Sequence, residues 1–295
     1  MVYFVGAGPG AVDLITVRGR ELIRQADVII YAGSLVNPEL LEEAGPDCEL
    51  HDSSRMTLEE VIAVMERAER IGRMRGQESV EGKQKNRREV PAIGQNDINE
   101  TMRRGKNEEL GIENSGQAVI VRLHTGDPSL YGAIREQMAE LDRKGISYEV
   151  CPGVSSFSGA AAALRMEYTL PEVSQTVILT RTEGRTPVPE GEKLSALAAH
   201  QATMVLFLSA GLAEQVKQEL LLGGIQPDTP VAVVYKATWP EETVVRTTVE
   251  RLPQDMEEAG IYKTALIIVG RVLGEEFARS RLYDGTFETE FRRGT

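Results

Sequence analysis

Short apolar runs rich in β-branched residues alternate in this chain with segments of helical periodicity. In the first half, four of these runs predict buried strands at Val2–Val5, Val28–Ile30, Val119–Val121 and Tyr148–Cys151. A more polar strand is predicted at Glu49–Arg55. Apolar residues recur at helical spacing in residues 13–25, 57–70 and 133–144. Strands that alternate with helices are typical of an α/β fold with a parallel sheet.

The same alternation begins again after Leu170 and Pro171, where we place a domain boundary. Strands are predicted at residues 176–180, 204–208, 231–234 and 265–269, with an edge strand at 244–248. The chain is therefore interpreted as two α/β domains, residues 1–170 and 171–274, followed by a charged tail at 275–295. A length of 295 residues agrees with two domains of ~150 residues each.

Residues 73–115 differ from the rest of the first domain. They are dense in Arg, Lys and Glu, and they separate a predicted helix from the strand expected a few residues later. We interpret them as a surface insertion that is partly helical or disordered. The basic cluster Lys83–Arg88 is either a partner site or a solvated run of charge, and the second interpretation is the simpler one.

The most informative stretch follows the strand at Val119–Val121. It reads His124-Thr-Gly-Asp-Pro128, a tight turn that carries a carboxylate, before the helical segment at 133–144. In an open α/β sheet, ligands bind outside the carboxyl ends of the strands, so Asp127 is predicted to lie where a ligand would be. Gly126 would allow close approach of the backbone. Asp127 is alternatively only a cap of the turn or helix.

The first strand is followed by a glycine-rich turn, Gly6-Ala-Gly-Pro-Gly10. The turn is not a dinucleotide-binding fingerprint, because its spacing is GxGxG with Pro9 inside. The acidic residue expected at the end of the second strand is also missing, since the chain there reads Tyr31-Ala-Gly33. The glycines instead predict that another group approaches this backbone closely.

Two further segments carry candidate binding groups. Ser155 and Ser156 precede a run of alanines, where the free N–H groups and hydroxyls of a helix start can hold a polar ligand. Arg181 and Arg185 lie in a loop with Gly and Pro that follows the strand at 176–180. Such loops usually only connect elements, but paired arginines suit carboxylate recognition.

Charge and composition exclude several classes of protein. The net charge of −12 disfavours nucleic-acid binding, which usually requires a basic face. No apolar run approaches the ~20 residues of a membrane span, and the strand at Val2–Val5 leaves no room for a signal peptide. Two cysteines and three histidines at unrelated spacings predict neither a disulfide framework nor a metal site. A cytoplasmic protein is expected.

Taken together, these motifs resemble the tetrapyrrole methylase superfamily. The resemblance rests on Gly6–Gly10 with Leu14-Ile-Thr16, on Ala26–Ile30, on the Gly126-Asp-Pro128 turn and on Pro152-Gly-Val-Ser155 with its alanine run. Four more segments resemble the precorrin-4 and cobalt-precorrin-4 C11-methyltransferases of cobalamin biosynthesis: Tyr31–Val36, His51–Ser53 with Met56–Leu58, Arg122–Pro128 and Arg181–Pro187. The resemblance covers nearly the whole chain except about 73–115.

The resemblance implies two α/β/α domains with S-adenosylmethionine in the cleft between them, a tetrapyrrole substrate (precorrin-4 or cobalt-precorrin-4) and a homodimer. It also implies that the cofactor is bound largely by backbone. The positions that match the family's cofactor contacts are Pro9, Thr125, Gly126, Asp127, Leu130, Ser155, Ser156, Leu208 and Ala237. The Leu208 match is weaker, because related methylases have Met-Gly where this chain has Leu208-Ser209.

Methyl transfer to a macrocycle carbon requires in-line alignment of carbon, methyl and leaving sulfur rather than a covalent enzyme intermediate. The substrate's carboxylates would be bound by Arg181 and Arg185. Related C-methylases carry an acidic residue where this chain has Ala32, so Asp52, His124 or water remains as the proton acceptor. His124 has a structural role as its alternative. The alternative functions are another methylation within the superfamily, on ribosomal RNA or a modified histidine, and non-catalytic S-adenosylmethionine binding.

Overall fold

A computed structural model describes residues 1–85 and 117–275, together with residues 278, 280, 286–288, 290 and 292. The chain divides into two compact units, Met1–Ser155 and Ser156–Thr295. The sequence placed the boundary later, near residue 170. The helix between these two positions makes contacts with the last strand of the second unit. The side chains of Lys83–Arg88 and most of the tail lie outside the described residues.

The sheet of the first unit has five strands, all parallel. In chain order they are β1 (Val2–Gly6), β2 (Val28–Tyr31), β3 (Glu49–Asp52), β4 (Ile120–His124) and β5 (Tyr148–Cys151). Their order across the sheet is β3-β2-β4-β1-β5. Gly6 pairs with His124, so β1 and β4 end side by side at the centre of the sheet.

Helices cover both faces of this sheet. The first face is covered by α1 (Val17–Gln25) and a 3-10 helix, Pro38–Glu43, and its core includes Val5, Leu22, Ile23, Ile29 and Leu40. The second face is covered by α2 (Leu58–Lys85) and α3 (Ile134–Lys144), and its core includes Phe4, Ile30, Ile62, Met65 and Leu141. The three central strands, β1, β2 and β4, are mainly apolar on both sides because both sides are buried, whereas the outer strands β3 and β5 are more exposed.

Local capping explains where the helices begin. The Thr16 side chain accepts a hydrogen bond from the Gly19 amide (3.1 Å), as expected of an N-cap. Thr57 and Glu60 form a capping box, since each side chain accepts a hydrogen bond from the other's amide. The predicted helix at 13–25 is shorter than expected, because a 3-10 turn, Val12–Leu14, precedes α1. Conversely, α2 continues to Lys85, past the predicted end near Arg70.

The second unit has a mixed sheet with strand order β6-β7-β10-β8-β9. Its strands are β6 (Val177–Arg181), β7 (Thr203–Phe207), β8 (Pro230–Tyr235), β9 (Thr243–Thr248) and β10 (Ala265–Val269). Its helices are α4 (Ser156–Leu164), α5 (Leu194–Ala198), α6 (Ala213–Leu222) and α7 (Leu252–Glu258). Only β6 and β7 are parallel, and β9 lies at the edge as predicted. No helix among the described residues combines the length and apolarity that a membrane crossing requires.

Candidate functional site

The topology of the first unit changes direction at the carboxyl ends of β1 and β4. These neighbouring strands send their connections to opposite faces of the sheet, because β1 leads to α1 on the first face and β4 leads to α3 on the second. Adjacent strands whose connections diverge in this way leave an opening, and this opening is where open α/β sheets bind ligands. The topology therefore places the Gly6–Gly10 turn and the Thr125–Asp127 turn beside each other.

The two turns are joined through their backbones. The Ala7 amide donates to the His124 carbonyl at 2.7 Å, and the Gly126 amide donates to the Gly8 carbonyl at 2.8 Å. A further turn, after β5, packs against both of them. A Cβ at Gly6 would lie 2.5 Å from the Gly153 Cα, and a Cβ at Gly153 would collide with the Gly126 carbonyl oxygen. The glycines are thus required by contact between the turns.

Asp127 holds the turn after β5 in place. Its Oδ2 accepts a hydrogen bond from the Gly153 amide at 2.8 Å, while its Oδ1 accepts from the Ser129 amide at 2.8 Å and from the Ser129 hydroxyl. Partial burial opposes ionisation, but these hydrogen bonds outweigh it and lower the pKa of the Asp127 carboxyl. Asp127 is therefore a charged turn cap at the carboxyl ends of the strands, as one of the two interpretations of the sequence expected. Its role in ligand binding stays a prediction.

The other first-unit residues matched to the cofactor site surround this cluster. Pro9, Gly126 and Ser155 are buried, Asp127 and Leu130 are half-buried, and Thr125 is exposed. Ser156 is the first residue of α4 and belongs to the second unit. These first-unit positions lie on the turns that follow β1, β4 and β5, so the topology brings them to one end of the sheet. Their roles in binding remain predictions.

His124 is buried directly before the Thr125–Asp127 turn. It is 8% exposed, and its Nε2 has no hydrogen-bond partner among the described residues. Burial, reinforced by the nearby Arg122 charge, lowers the pKa of His124 to about 3. The imidazole is therefore neutral at pH 7.

Arg122 is half-buried in the same strand. Its guanidinium donates to the Ile30 carbonyl at 3.2 Å and to the Gln137 side chain at 3.3 Å, and it pairs with no carboxylate among the described residues. Burial lowers its pKa to about 10. These contacts tie β4 to β2 and α3, which is a structural role.

Asp52 ends β3 and caps the next turn. Its Oδ1 accepts hydrogen bonds from the amides of Ser54 (2.9 Å) and Gly33 (3.0 Å). These bonds lower the pKa of the Asp52 carboxyl, which makes it a weaker base. Its observed contacts are those of a turn cap.

In the second unit, the strand directions place two of the predicted cofactor-binding residues at the same end of the sheet. β6 is parallel to β7, and both β7 and β8 are antiparallel to β10. The carboxyl ends of β6, β7 and β8 therefore lie with the start of β10 at one edge of the sheet, which we call the carboxyl edge. Leu208 and Ala237 both lie there, the first 71% exposed and the second buried.

The backbone at this edge is strained. Leu208 has a φ of +53°, and Lys236 and Thr238, on either side of Ala237, have φ values of +46° and +69°. Non-glycine residues in the left-handed region cost about 1–3 kcal/mol each, and such residues concentrate at binding sites. The buried Ser209 hydroxyl stabilises the Leu208 turn by donating to the Phe207 carbonyl and accepting from the Thr182 amide.

The cations at the carboxyl edge differ in their surroundings. The Arg181 guanidinium donates to the carbonyls of Thr186 (3.2 Å) and Pro187 (2.8 Å), so it shapes its own loop. Lys236 lies near the Trp239 and Tyr235 rings and pairs with Glu241 at 3.3 Å. Arg185 is exposed and forms no ion pair with any described residue. Of the two arginines predicted to bind carboxylates, Arg185 is thus the one whose side chain is available to a ligand.

Two residues that shape the turn cluster, Asn37 and Gly153, were not identified from the sequence. Asn37 is buried, donates to the Gly10 carbonyl at 3.0 Å and caps the following 3-10 helix through Glu39, so it fixes the end of the first turn. The Asn37-Pro38 pair is a recognisable helix start that pointed to this role. The contact of Gly153 with Gly6 and Gly126 has no local signal, because it joins segments far apart in sequence.

The turn cluster of the first unit and the carboxyl edge of the second unit carry groups suited to binding and positioning a ligand. No group of His, Cys, Asp and Glu among the described residues is suited to hold a metal ion. Cys151 is buried, which raises its pKa and disfavours the thiolate. The first unit offers a rigid backbone cluster with one carboxylate, and the second offers exposed apolar and cationic side chains.

Comparison with known proteins agrees with this chemistry. Residues 1–253 match the family model of the Tetrapyrrole (Corrin/Porphyrin) Methylases. A relative in Methanocaldococcus jannaschii, cobalt-precorrin-4 C(11)-methyltransferase, is 47% identical and aligns over 99% of this chain and 96% of its own. The precorrin-4 C(11)-methyltransferase of Mycobacterium tuberculosis is 41% identical over 96% of this chain and 95% of its own.

Solved structures give the same result for the fold. A cobalt precorrin-4 methyltransferase of known structure is 44% identical, with a TM-score of 0.73 over 92% of this chain and 95% of that one. The uroporphyrin-III C-methyl transferase of Thermus thermophilus, complexed with S-adenyl homocysteine, is 24% identical with a TM-score of 0.65, over 92% of this chain and 98% of its own. The expected fold class, α/β with two sheets of the tetrapyrrole methylase type, is confirmed.

Proposed function

Because the chain belongs to the tetrapyrrole (corrin/porphyrin) methylase family, we propose that it methylates C11 of precorrin-4 or cobalt-precorrin-4. The methyl donor is S-adenosylmethionine, and the product is of the precorrin-5A type in cobalamin biosynthesis. The observation that carries this proposal is identity of 41–47% with relatives named for this reaction, over nearly the full length of both chains. The higher identity to the cobalt-named relative favours the cobalt-containing substrate.

In the first unit, the cofactor contacts are assigned to the turn cluster. In the second unit, Leu208 and Ala237 are the positions that match the family's cofactor contacts. A cluster held together by backbone hydrogen bonds and glycine contacts suits a cofactor that the family binds through backbone. Asp127 fixes the turn that presents Thr125 and Gly126, since its carboxylate already accepts three hydrogen bonds. When bound, S-adenosylmethionine supplies an electrophilic methyl group.

The residues of this chain contribute alignment and exclusion of water rather than covalent chemistry. Charge disperses as the methyl group moves from sulfur to carbon, so a dry site favours the transition state. The rigid turns reduce the entropy lost in aligning the two reactants, whose reacting atoms must come within about 3–3.5 Å. Arg185 is assigned to a substrate carboxylate, and Arg181 to shaping the loop from which Arg185 extends.

The proton that leaves the substrate is assigned to water. His124 and Asp52 are the two side-chain candidates from the sequence. The pKa of His124 is about 3 and that of Asp52 is lowered, so both are weak bases at neutral pH. The orphaned Nε2 of His124 keeps it as the alternative acceptor.

A direct assay tests the proposal. Purified protein is incubated with S-adenosylmethionine and enzymatically prepared precorrin-4, with and without cobalt, and the product is followed by mass and absorbance. We expect the gain of one methyl group at C11, with the cobalt form preferred. Cofactor binding without transfer to either form would refute the substrate and favour a non-catalytic binding protein. The family resemblance also implies a homodimer, which light scattering of the purified protein would test.

A further inference from the structure

One segment of the second unit belongs to the carboxyl edge although no motif pointed to it. The loop between α7 and β10 contains Tyr262, Lys263 and Thr264 and leads directly into β10 at Ala265. Ala265 pairs with Tyr235 at the end of β8, because the two strands are antiparallel. The strand directions therefore place this loop beside the turns that contain Leu208 and Ala237.

The loop is attached to both of these turns. The Lys236 amide donates to the Thr264 carbonyl at 2.9 Å, which joins the loop to the turn after β8. A Cβ at Gly211 would lie 3.2 Å from the Tyr262 carbonyl oxygen, so the turn after β7 packs against the loop. Thr264 has a φ of +54°, like the strained residues Leu208 and Lys236. The position of the loop is thus set by the same backbone that positions Leu208 and Ala237.

The side chains of this loop are available to a ligand. Tyr262 is 61% exposed, and Leu208, in the turn after β7 that packs against the loop, is 71% exposed. Lys263 is exposed and forms no ion pair with any described residue, in contrast to Lys236, which is paired with Glu241. An aromatic ring, an aliphatic side chain and an unpaired ammonium therefore occur together on an otherwise acidic protein of net charge −12.

We propose that Tyr262 and Lys263 form a substrate-binding surface for a flat, apolar ring system that carries carboxylates. This inference rests on the proposed function, whose substrate has this chemistry. The Tyr262 ring packs against the macrocycle, and the Lys263 ammonium pairs with a peripheral carboxylate. A protein of strong net negative charge repels such a substrate, so an unpaired cation at the site supplies the local attraction.

Steady-state kinetics of the intact protein test this proposal. Lys263→Gln is expected to raise the KM for the tetrapyrrole about fivefold and to reduce the salt dependence of KM, because one exposed ion pair contributes up to about 1 kcal/mol. Tyr262→Ala is expected to raise KM about tenfold, from the loss of aromatic contact area. Lys263→Arg and Tyr262→Phe are expected to restore most of the affinity, and kcat should change less than twofold.

The controls separate the surface from the cofactor site and from the proposed function. The Kd of S-adenosylhomocysteine, measured by calorimetry, should be unchanged in all variants. Lys217→Gln and Leu222→Ala remove a lysine and an exposed apolar residue elsewhere in the second unit, and both should leave KM unchanged. If the wild type turns over but KM is unchanged in Lys263→Gln and Tyr262→Ala, this inference is overturned. If the wild type does not methylate the tetrapyrrole at all, the proposed function fails first.

Discussion

The carboxyl ends of the two sheets are built in opposite ways. In the first unit, glycine turns touch one another, and a single carboxylate caps them from within. In the second unit, the turns are built from non-glycine residues in left-handed conformations, and large side chains point into solvent. A surface built from backbone is rigid and suits a ligand that does not vary. A surface built from side chains suits a large substrate whose charges are spread around its periphery.

The largest expected effect comes from filling the contact between the glycine turns. Gly153→Ala places a methyl group against the Gly126 carbonyl oxygen and 2.7 Å from the Gly6 Cα, where neither backbone has room to move. We expect a loss of at least about 3 kcal/mol in the free energy of unfolding, together with loss of S-adenosylhomocysteine binding. Urea denaturation and calorimetry measure the two effects. Gly191→Ala is the matched control, because nothing lies within 4 Å of that position.

A pH titration tests the burial of His124 beneath the same turns. Its folded pKa of about 3 lies below the unfolded value of 6.5, so the unfolded state binds the proton more readily. The free energy of unfolding should therefore decrease as pH falls from about 6.5 towards 3, by up to about 1.4 kcal/mol per pH unit from this residue. In His124→Gln the decrease between pH 6.5 and 4.5 should be smaller by about 2 kcal/mol. Equal slopes in both proteins would contradict a buried neutral imidazole.

Substitution of Asp127 tests whether the turn cluster of the first unit depends on this carboxylate. Asp127→Asn keeps the shape but replaces one acceptor oxygen by a donor, so either Gly153 or Ser129 loses its partner. We expect a loss of about 1–2 kcal/mol in stability and about tenfold weaker S-adenosylhomocysteine binding. The lowered pKa of Asp127 stabilises the wild type above the unfolded pKa of about 4, and this contribution disappears as pH falls towards the folded value.

Asp52→Asn is the comparison for that experiment. Asp52 caps a turn in the same manner, at the end of β3. A small loss of stability with unchanged cofactor affinity is expected. A fall in kcat of about a hundredfold or more, with unchanged affinity, would instead identify Asp52 as the proton acceptor.

How far the sequence could predict a feature of the structure depends on whether that feature is set by neighbouring or by distant residues. The strand runs, the Thr16 cap and the Thr57–Glu60 capping box depend on neighbouring residues, so local sequence patterns can indicate them. The Gly153 contact depends on three distant segments meeting, for which no local pattern exists. Likewise, the Tyr262 loop reaches the carboxyl edge only because β8 and β10 are antiparallel, and strand direction is not visible in an apolar run.

The smallest expected effect distinguishes the two arginines of the second unit. Arg185→Gln should raise the KM for the tetrapyrrole about fivefold without changing stability, because its side chain is exposed and forms no ion pair with a described residue. Arg181→Gln should lower stability by about 1 kcal/mol and raise KM as well, since the carbonyls of Thr186 and Pro187 lose their donor. Thermal unfolding and steady-state kinetics of both variants give the two quantities. Equal effects of the two substitutions on stability would show that Arg181 does not stabilise its loop. Both arginines would then be ordinary surface charges.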